Sequence, residues 1–349
     1  MKKAADCFDI EDTPAFLEYL RARSLIAPDE GARVRNLEGG VSNRVVLVTP
    51  VHSQAFVVKQ ALEKLRVNVD WFCTPRRIEH EAAALQHLSA LAPGGAVPAL
   101  LFQDAESHLL AMEAIREPHQ NWKQMLLAGM IVTNHVEQFG VLLGSLHRES
   151  AQKKEQMMEW FGDRAVYEAL RLEPYYRYTA SQIPESASFL RQLIEDTLAR
   201  RLTVVHGDYS PKNILVHANR LVLLDYEVVH FGDPAFDIGF SMAHFFGKAH
   251  HVSSHREAFV EAAIRYWRSY EQCVGEQVWT ADLEERAARH TIGCCLARVA
   301  GRSPLEYLTA DERTAQALVM MEMLKKVPTT MEECANEFAA RISWRSSNV

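Results

Sequence analysis

The sequence predicts an α+β fold of two lobes, a small N-terminal lobe built on an antiparallel sheet and a larger, mainly helical C-terminal lobe. The chain has 349 residues, 48% of them hydrophobic, which is enough for two cores. Strand-like apolar runs lie before residue 115, and beyond it apolar residues recur mostly at helical spacing. We therefore divide the chain into residues 1–115 and 116–349, with the hinge near 113–117.

The first elements of the small lobe are a helix and a hairpin. Thr13 is a good N-cap with Pro14 at the first helical position, and apolar residues follow on one helical face. The apolar runs 45–48 and 55–58 are separated by polar, turn-forming residues, which is typical of an antiparallel hairpin.

A helix, a strand and a long helical region follow. Apolar residues at spacings of three and four predict a helix over 77–91, and an apolar run at 108–112 predicts a strand. Helical spacing over 136–146 marks a long helix, and most of the remaining chain has the same pattern. Near the end, Ser303 with Pro304 predicts the start of a new helix.

Composition narrows the class of protein. The net charge of -7 argues against nucleic acid or an anionic membrane as a partner, and a cationic substrate suits this charge slightly better. No apolar run reaches bilayer length and the first residues lack a signal peptide's apolar stretch, which predicts a cytoplasmic protein. The six cysteines lack zinc-site spacing, and we expect reduced thiols. Without a heptad stripe or a clear pairing edge, we expect a monomer or a homodimer.

Polar side chains surround a predicted hairpin in the large lobe. Its two apolar runs, 214–216 and 221–224, are joined by a polar turn. Asp208 and Asn213 precede or enter the first strand, and Asp225 follows the second. We therefore expect three oxygen-bearing side chains to lie close together at one end of two adjacent strands.

This arrangement suits phosphoryl transfer from ATP, which requires hard cations on the phosphates and a group that deprotonates the acceptor hydroxyl. The spacing His-x-Asp-x-x-x-x-Asn, with an Asp after the next strand, is that of kinase catalytic and metal loops. It makes Asp208 the catalytic base and Asn213 and Asp225 the ligands of Mg²⁺. His206 is the second catalytic candidate, and a hydrogen-bonding role is favoured over proton transfer. Each carboxylate alone could cap a helix or close a turn, but their combination favours a kinase.

The small lobe supplies candidate nucleotide-binding residues. Lys59 ends an apolar strand, where its charge can meet ATP phosphates and an acidic helix residue. Glu81 is the preferred acidic partner and Glu79 is the alternative. The backbone near Glu113 and Ile115 is expected to read the edge of the adenine.

The sequence resembles the aminoglycoside phosphotransferase and choline kinase-like superfamily, through its His-Gly-Asp motif at 206–208 and the segment 231–239, which matches the family's Gly-Asp-Pro-x-x-Asp signature. The resemblance implies a protein-kinase-like fold, ATP and Mg²⁺ as cofactors, and transfer of the γ-phosphoryl group to a hydroxyl of a sugar, amino alcohol or aminoglycoside. It also implies that Asp237 braces the catalytic loop. The segment 37–43 resembles the family's phosphate-covering loop, and the residues it would contribute are Gly39, Gly40, Ser42 and Asn43.

The spacing of the motif residues bears on the size of the acceptor. Eleven residues separate Asp225 from Asp237, which leaves no room for an activation segment that docks a peptide, so a small acceptor is favoured. Within the superfamily the resemblance is somewhat closer to methylthioribose kinase-like members. Arg298 and Arg302 are candidates for contacts with an anionic or polyhydroxyl acceptor. The alternative function is a non-catalytic pseudokinase that binds nucleotide or a partner protein, which usually lacks one of the catalytic groups.

Overall fold

The structure is a computed structural model that describes residues 8–37, 41–67 and 70–348. Gly39 and Gly40, two of the candidate nucleotide-binding residues, lie outside the described residues. In these ranges, none of the helices combines the length and apolar character that crossing a bilayer requires.

The small lobe contains a five-stranded antiparallel sheet and two helices. Its elements are α1 (Thr13–Ala22), β1 (Ala32–Asn36), β2 (Asn43–Pro50), β3 (Phe56–Ala61), α2 (Arg77–Leu88), β4 (Leu100–Asp104) and β5 (Leu109–Glu113). The strands lie in the order β1-β2-β3-β5-β4. The predicted hairpin is confirmed as β2 and β3, with Val46 opposite Val58.

The two faces of this sheet are buried against different partners. Because side chains alternate along a strand, Val46 and Val58 share one face and pack in a cluster with Phe16 of α1. Val57 and Leu110 belong to the larger core, which includes α2 and continues into the second lobe. The sheet therefore connects the N-terminal helix to the interior of the molecule.

Two predictions for the small lobe need correction. The N-cap of α1 is Asp12 rather than Thr13, since the Asp12 carboxylate accepts a hydrogen bond from the N–H of Ala15 at 3.5 Å. Strands β1 and β4 are additional to the predicted strands. Both lie at the edges of the sheet and are five residues long, and in β1 only the half-buried Ala32 and Val34 alternate with the exposed Arg33 and Arg35, which is a short signal.

The large lobe is mainly helical. Its helices are α3 (Trp122–Leu127), α4 (Thr133–Gln152), α5 (Lys154–Phe161), α6 (Ala165–Tyr167), α7 (Tyr178–Gln182), α8 (Ala187–Ala199), α9 (Ala235–His251), α10 (Arg256–Val274), α11 (Leu283–Ala300), α12 (Ala310–Met323) and α13 (Met331–Asn348), with a π-helical segment at Glu168–Arg177. Helix α9 lies at the centre and is buried along almost its whole length. Gly239 permits its close approach to α11, since a Cβ there would lie 2.4 Å from the Cβ of His290.

Two small sheets carry the loops between these helices. Their strands are β6 (His119–Asn121), β7 (Thr203–Val205), β8 (Ile214–His217), β9 (Arg220–Leu223) and β10 (His230–Gly232). Strands β6, β8 and β9 form one sheet, and β7 pairs with β10 in the other. The predicted hairpin is confirmed as β8 and β9, whose turn contains Ala218 and Asn219, both with positive φ.

The segment after α11 differs from the prediction. Ser303 and Pro304 do not begin a helix, and α12 begins instead at Ala310. The N–H of Leu305 donates a hydrogen bond to the carbonyl of Arg298 at 2.8 Å, which satisfies a carbonyl at the end of α11. The chain therefore folds back over the helix end. In its broad architecture, the α+β fold of two lobes is confirmed.

Candidate functional site

A buried lysine connects the two lobes. The Nζ of Lys59 on β3 lies 2.6 Å from Oε1 of Glu81 on α2 and 3.1 Å from Oδ1 of Asp225 in the large lobe. Glu79, the alternative partner, instead lies 3.2 Å from the exposed Arg76. Burial opposes the charge of Lys59, but the carboxylates of Asp225 and Glu81 outweigh it and raise the pKa of the lysine.

Asp225 follows β9 in a left-handed backbone conformation, with φ of 69°. Few residues other than glycine adopt this conformation, and such residues are frequent at functional sites. Burial would raise the pKa of Asp225, but the charges of Lys59 and Lys212 lower it to about 2. The carboxylate is therefore ionised at neutral pH. The adjacent N–H of Leu224 donates to the carbonyl of Asn213 at 2.9 Å, which fixes these two chain segments side by side.

Asp208 and Asn213 are in direct contact. The amide nitrogen of Asn213 donates to the Oδ2 of Asp208 at 2.7 Å and to its backbone carbonyl at 3.0 Å. Asn213 ends the short 3₁₀ turn Pro211–Asn213 that leads directly into β8. The structure thus brings the side chains of Asp208 and Asn213 into contact, and the backbone bond between Leu224 and Asn213 puts Asp225 on the neighbouring chain segment.

Asp237 fixes the conformation of the His-Gly-Asp loop. Its two carboxylate oxygens accept the backbone N–H groups of His206 at 2.6 Å and Gly207 at 2.8 Å. Burial would raise the pKa of Asp237, but hydrogen bonding and charge from His147 lower it. Gly207 has φ of 76°, and a Cβ there would lie 2.9 Å from the carbonyl of Val228, so the loop requires glycine.

His206 lies behind the loop. Its Nδ1 accepts the backbone N–H of Asp208 at 3.1 Å, and the side chain is buried. Burial lowers the pKa of His206, which favours the neutral ring. These contacts suit a residue that positions Asp208 by hydrogen bonding.

Arg171 is a site residue that sequence reasoning missed. Its Nη2 lies 3.1 Å from Oδ1 of Asp208, and its Nε donates to the carbonyl of Gly207 at 2.6 Å. Burial would lower the pKa of Arg171, but the charge of Asp208 outweighs it and raises the pKa. The arginine lies in the π-helical segment, whose internal Pro174 disrupts ordinary helical spacing. The sequence has no motif that connects residue 171 to residue 208.

A second buried ion pair was also missed. Arg77 of α2 is fully buried, and its Nε donates to Oε2 of Glu227 at 3.0 Å. The same carboxylate oxygen accepts the amide of Asn43 at 3.1 Å, and Arg77 also donates to the carbonyl of Ser42. Ser42 and Asn43 were expected to contact nucleotide, and this network links them to Asp225, two residues before Glu227.

The remaining predicted nucleotide residues lie at the lobe junction. Glu113 is the last residue of β5, where it is exposed, and its N–H donates to the carbonyl of Ala99 at 2.9 Å. Ile115 follows two residues later and is half-buried. Both lie on the segment that leads from the small lobe into β6.

The two candidate acceptor arginines have different surroundings. Arg298 is buried and lies 5.0 Å from the ring centroids of both Tyr175 and Phe240. Arg302 is half-buried and lies 4.5 Å from the ring centroid of Tyr178. The structure thus separates the two arginines and brings Arg298, through shared aromatic rings, next to Arg171.

Asn213 and Asp225 suit a divalent cation by their chemistry, since both offer hard oxygen atoms. Among the described residues, no three His, Cys, Asp or Glu side chains gather as a metal site. Mg²⁺ usually takes one or two protein ligands and completes its coordination with water and substrate phosphates. The residues present therefore fit an ion that binds together with a nucleotide.

Curated relatives of the chain include kinases of small molecules. Methylthioribose kinase 2 of Oryza sativa subsp. japonica is 24% identical over 260 residues, which cover 65% of this chain and 60% of the relative. The chain thus spans about three fifths of the length of that relative. The 4-hydroxytryptamine kinase of Psilocybe cyanescens is 24% identical over 310 residues, covering 78% of this chain and 82% of the relative.

Solved structures with the same fold are also kinases. The structure of amicoumacin kinase hAmiN in complex with AMP-PNP, Ca²⁺ and Ami has a TM-score of 0.57 and 15% identity, covering 91% of this chain and 95% of that one. A choline/ethanolamine kinase family protein from Mesorhizobium loti has a TM-score of 0.53 and 14% identity, covering 95% and 99%. These matches show that the fold is the two-lobed protein-kinase-like fold. The family model of the phosphotransferase enzyme family, APH, matches residues 33–278, and the chain belongs to this family.

Proposed function

We propose that the protein is an ATP- and Mg²⁺-dependent kinase that phosphorylates a hydroxyl of a small molecule. The observation that carries the proposal is the contact between Asp208, Asn213 and Arg171 beside Asp225. In this site the Asp208 side chain is 13% exposed, which leaves part of it open to a hydroxyl, and the two candidate metal ligands lie just before β8 and just after β9. Family membership and the small-molecule kinases among the relatives support the same reaction class.

In the proposed reaction, the acceptor oxygen bonds to the γ-phosphorus of ATP while the bond to the bridging oxygen breaks and ADP leaves. Asp208 accepts the proton of the hydroxyl. Arg171 and Asn213 position this carboxylate, since each bonds to a different oxygen. Mg²⁺ bound at Asn213 and Asp225 would neutralise charge on the phosphates.

Nucleotide binding is assigned to residues up to 115. Lys59 is oriented by Glu81 and bonds to Asp225, one of the candidate metal ligands, which supports a role for its ammonium group beside the phosphates. Ser42 and Asn43 are fixed by Arg77 and Glu227 at the same junction. The acceptor and catalytic groups belong to residues 116–349.

The test is acceptor-dependent ADP release with Mg-ATP, measured for the wild type and for Asp208→Asn. A suitable acceptor panel contains aminoglycosides, choline, ethanolamine, homoserine, methylthioribose and sugars. We expect Asp208→Asn to bind AMP-PNP within about threefold of the wild type and to lose roughly 10³-fold in kcat. The exposed Asp29→Asn serves as the control. Equal turnover of Asp208→Asn and wild type would exclude Asp208 as the base, and nucleotide binding without turnover of any acceptor would favour the pseudokinase.

A further inference from the structure

The large lobe contains a group of three cations, two of them buried. We define the cationic cluster as Lys123 of α3, Lys248 of α9 and Arg298 of α11. His244 lies among them, with its Nε2 3.1 Å from a guanidinium nitrogen of Arg298. The protein's net charge is -7, so this cluster has the opposite sign to the molecule as a whole.

Arg298 has unused hydrogen-bonding capacity. Its Nη1 donates to the backbone and side-chain oxygens of Ser303 at 2.8 Å and 3.1 Å. Its Nε is buried and has no acceptor among the described residues, and no carboxylate of those residues lies within ion-pair distance of the guanidinium. A buried arginine usually has a carboxylate partner, because an uncompensated buried charge costs several kcal/mol in order of magnitude.

Lys248 has even fewer partners. It is fully buried, its Nζ donates to the carbonyl of His244 at 3.2 Å, and it lies 5.5 Å from the ring centroid of Tyr307. In the described chain, no carboxylate forms an ion pair with it. Burial, with the charges of Lys123 and Arg298, lowers the pKa of Lys248 to about 7, and Glu306 opposes this shift.

The outer side of the cluster is closed by an exposed ion pair. Lys123 pairs with Glu306, whose side chain is 67% exposed, on the segment that folds back after α11. Next to Glu306, the hydroxyl of Tyr307 is buried and has no partner among the described residues. A ligand could enter by displacing this surface pair, which faces solvent and contributes little to stability.

Aromatic rings connect the cluster to the catalytic carboxylate. The guanidinium carbons of Arg171 and Arg298 both lie near the rings of Tyr175 and Phe240, at 5.6 and 5.7 Å for Arg171 and 5.0 Å for Arg298. Arg171 in turn bonds to Asp208. Arg171 has its carboxylate, and Arg298, which lies near the same two rings, does not. The unmatched positive charge therefore lies within small-molecule reach of the base.

We propose that the acceptor is an anionic hydroxyl compound, whose carboxylate or phosphate binds Arg298 and Lys248 while its hydroxyl meets Asp208. This rests on the proposed kinase function. An anion would accept the free Nε of Arg298 and the remaining N–H groups of Lys248, in charge-assisted hydrogen bonds. A choline-like or aminoglycoside-like cation would face like charges here, which disfavours binding.

The first experiment compares acceptors of different charge, three of which share the five-carbon skeleton of ribose. Wild-type protein with Mg-ATP is assayed with ribose, ribonate and ribose 5-phosphate, and with choline and ethanolamine as cations. We expect kcat/KM for at least one of the two anions to exceed that for ribose and for both cations by about 100-fold. Equal or better use of ribose or a cation would overturn the inference and leave the proposed kinase function intact.

A binding measurement makes the test independent of turnover. The Tm is measured with AMP-PNP and Mg²⁺ present, which occupies the nucleotide phosphate sites, and with ribose, ribonate or ribose 5-phosphate added. We expect an anion to raise the Tm of the wild type and ribose not to do so. Absence of any shift with both anions would overturn the inference. AMP-PNP binding without acceptor-dependent ADP release for any acceptor of the panel would instead contradict the kinase function, and the inference with it.

Two substitutions locate the anion. Lys248→Met and Arg298→Met are each expected to raise the KM for the anionic acceptor by about 10- to 100-fold. The KM for ATP and the Kd for AMP-PNP should each stay within about twofold of the wild-type value, whereas a folding defect would change both. The exposed Lys325→Met is the control for a lost lysine. An unchanged acceptor KM in both cluster variants would exclude the cluster as the anion site.

Discussion

Two buried lysines in this protein experience opposite electrostatic environments. Lys59 lies between two carboxylates, which raise its pKa in spite of burial. Lys248 is buried beside Arg298 and Lys123, and its pKa falls to about 7. Binding sites often contain a buried charge that has no partner within the protein and therefore lowers stability, because a residue that suits ligand binding is not always the one that stabilises the fold most.

We expect Lys248→Met to stabilise the protein below pH 7. The ordinary pKa of lysine is about 10.4, and the pKa of about 7 in the folded protein lies below it. Between these pH values the unfolded state binds more protons, so the contribution of Lys248 to stability rises with pH. The charge on buried Lys248 therefore destabilises the folded protein fully below pH 7, and this destabilisation disappears toward pH 10. Tm should therefore increase in the variant at pH 6 and increase much less at pH 9.

The control for this comparison is Lys325→Met, which should change Tm by a similar small amount at both pH values because that side chain is exposed. A lower Tm for Lys248→Met than for wild type at pH 6 would contradict the account. The groups around Lys248 that could also titrate are His244, Tyr307, Glu306 and Lys123, and the lysine variant leaves all four in place.

We expect Arg171 to position Asp208, the proposed base. Arg171→Met should lower kcat about 10- to 100-fold and leave nucleotide affinity nearly unchanged, because it removes the bonds to Asp208 and Gly207 without touching the small lobe. Arg171→Lys should recover part of the activity, since it restores the charge but not the planar donor group. Arg177→Met, in the same π-helical segment but half exposed, is the matched control. Equal kcat in wild type and Arg171→Met would refute the assignment.

At the scale of elements, the sequence predicted those whose pattern is local. Strands β2 and β3 and the hairpin β8–β9 have continuous apolar runs with turn residues between them, and each was correctly placed. Edge strands β1 and β4 were missed because each is only five residues long and, although burial alternates along both, most of their inward side chains are only half-buried. The helix predicted at Ser303 does not form, although the residues there are typical of a helix start. Tertiary contacts with the end of α11 fix the conformation of the chain instead.

Helix α9 carries Asp237 and depends on close packing against α11. Gly239→Ala would place a methyl group 2.4 Å from the Cβ of His290 and 2.6 Å from the backbone nitrogen of Thr291. Because backbone atoms cannot move aside without shifting a helix, we expect a loss of about 3 kcal/mol in the free energy of unfolding. Chemical denaturation gives this quantity, with Gly94→Ala as the control. A Cβ at Gly94 meets nothing within 4 Å, so its effect should stay within about 0.5 kcal/mol.

Comparable stability of the two glycine variants would show that α9 and α11 can separate without cost. Kinetics of Gly239→Ala under stabilising conditions add a second readout. Asp237 lies two residues earlier on the same helix and bonds to the backbone of the His-Gly-Asp loop. A shift of α9 should therefore reduce kcat more than it changes nucleotide affinity.

Across the whole molecule, the candidate site divides into a part that sequence could predict and a part that it could not. Asp208, Asn213 and Asp225 lie within one continuous segment, so motif spacing was sufficient to select them. Arg171 and Arg77 reach the same centre from distant elements. Their positions depend on how the π-helical segment and α2 pack, and no spacing along the chain encodes such contacts.

The two lobes are joined by buried charges at the nucleotide junction. Arg77 of the small lobe pairs with Glu227 of the large lobe, and Asn43 bonds to the same carboxylate. The Lys59–Asp225 pair joins the same two lobes, and Asp225 lies two residues before Glu227. The contacts that join the lobes therefore involve Lys59 and Asn43, which belong to the proposed nucleotide site.

Arg77→Met should weaken both properties together. It leaves Glu227 buried without its guanidinium partner, which costs roughly 3–5 kcal/mol for a buried ion pair, and it releases the carbonyl of Ser42. We expect a lower Tm and an increase in the KM for ATP of about tenfold. The neighbouring Arg76→Met is the control, since that side chain is 75% exposed and its ion pair with Glu79 lies on the surface. A change in lobe orientation must alter a nucleotide site that is built from both lobes. If Arg77→Met lowered Tm but left the ATP KM and the AMP-PNP affinity unchanged, the ion pair would therefore stabilise the fold without orienting the lobes.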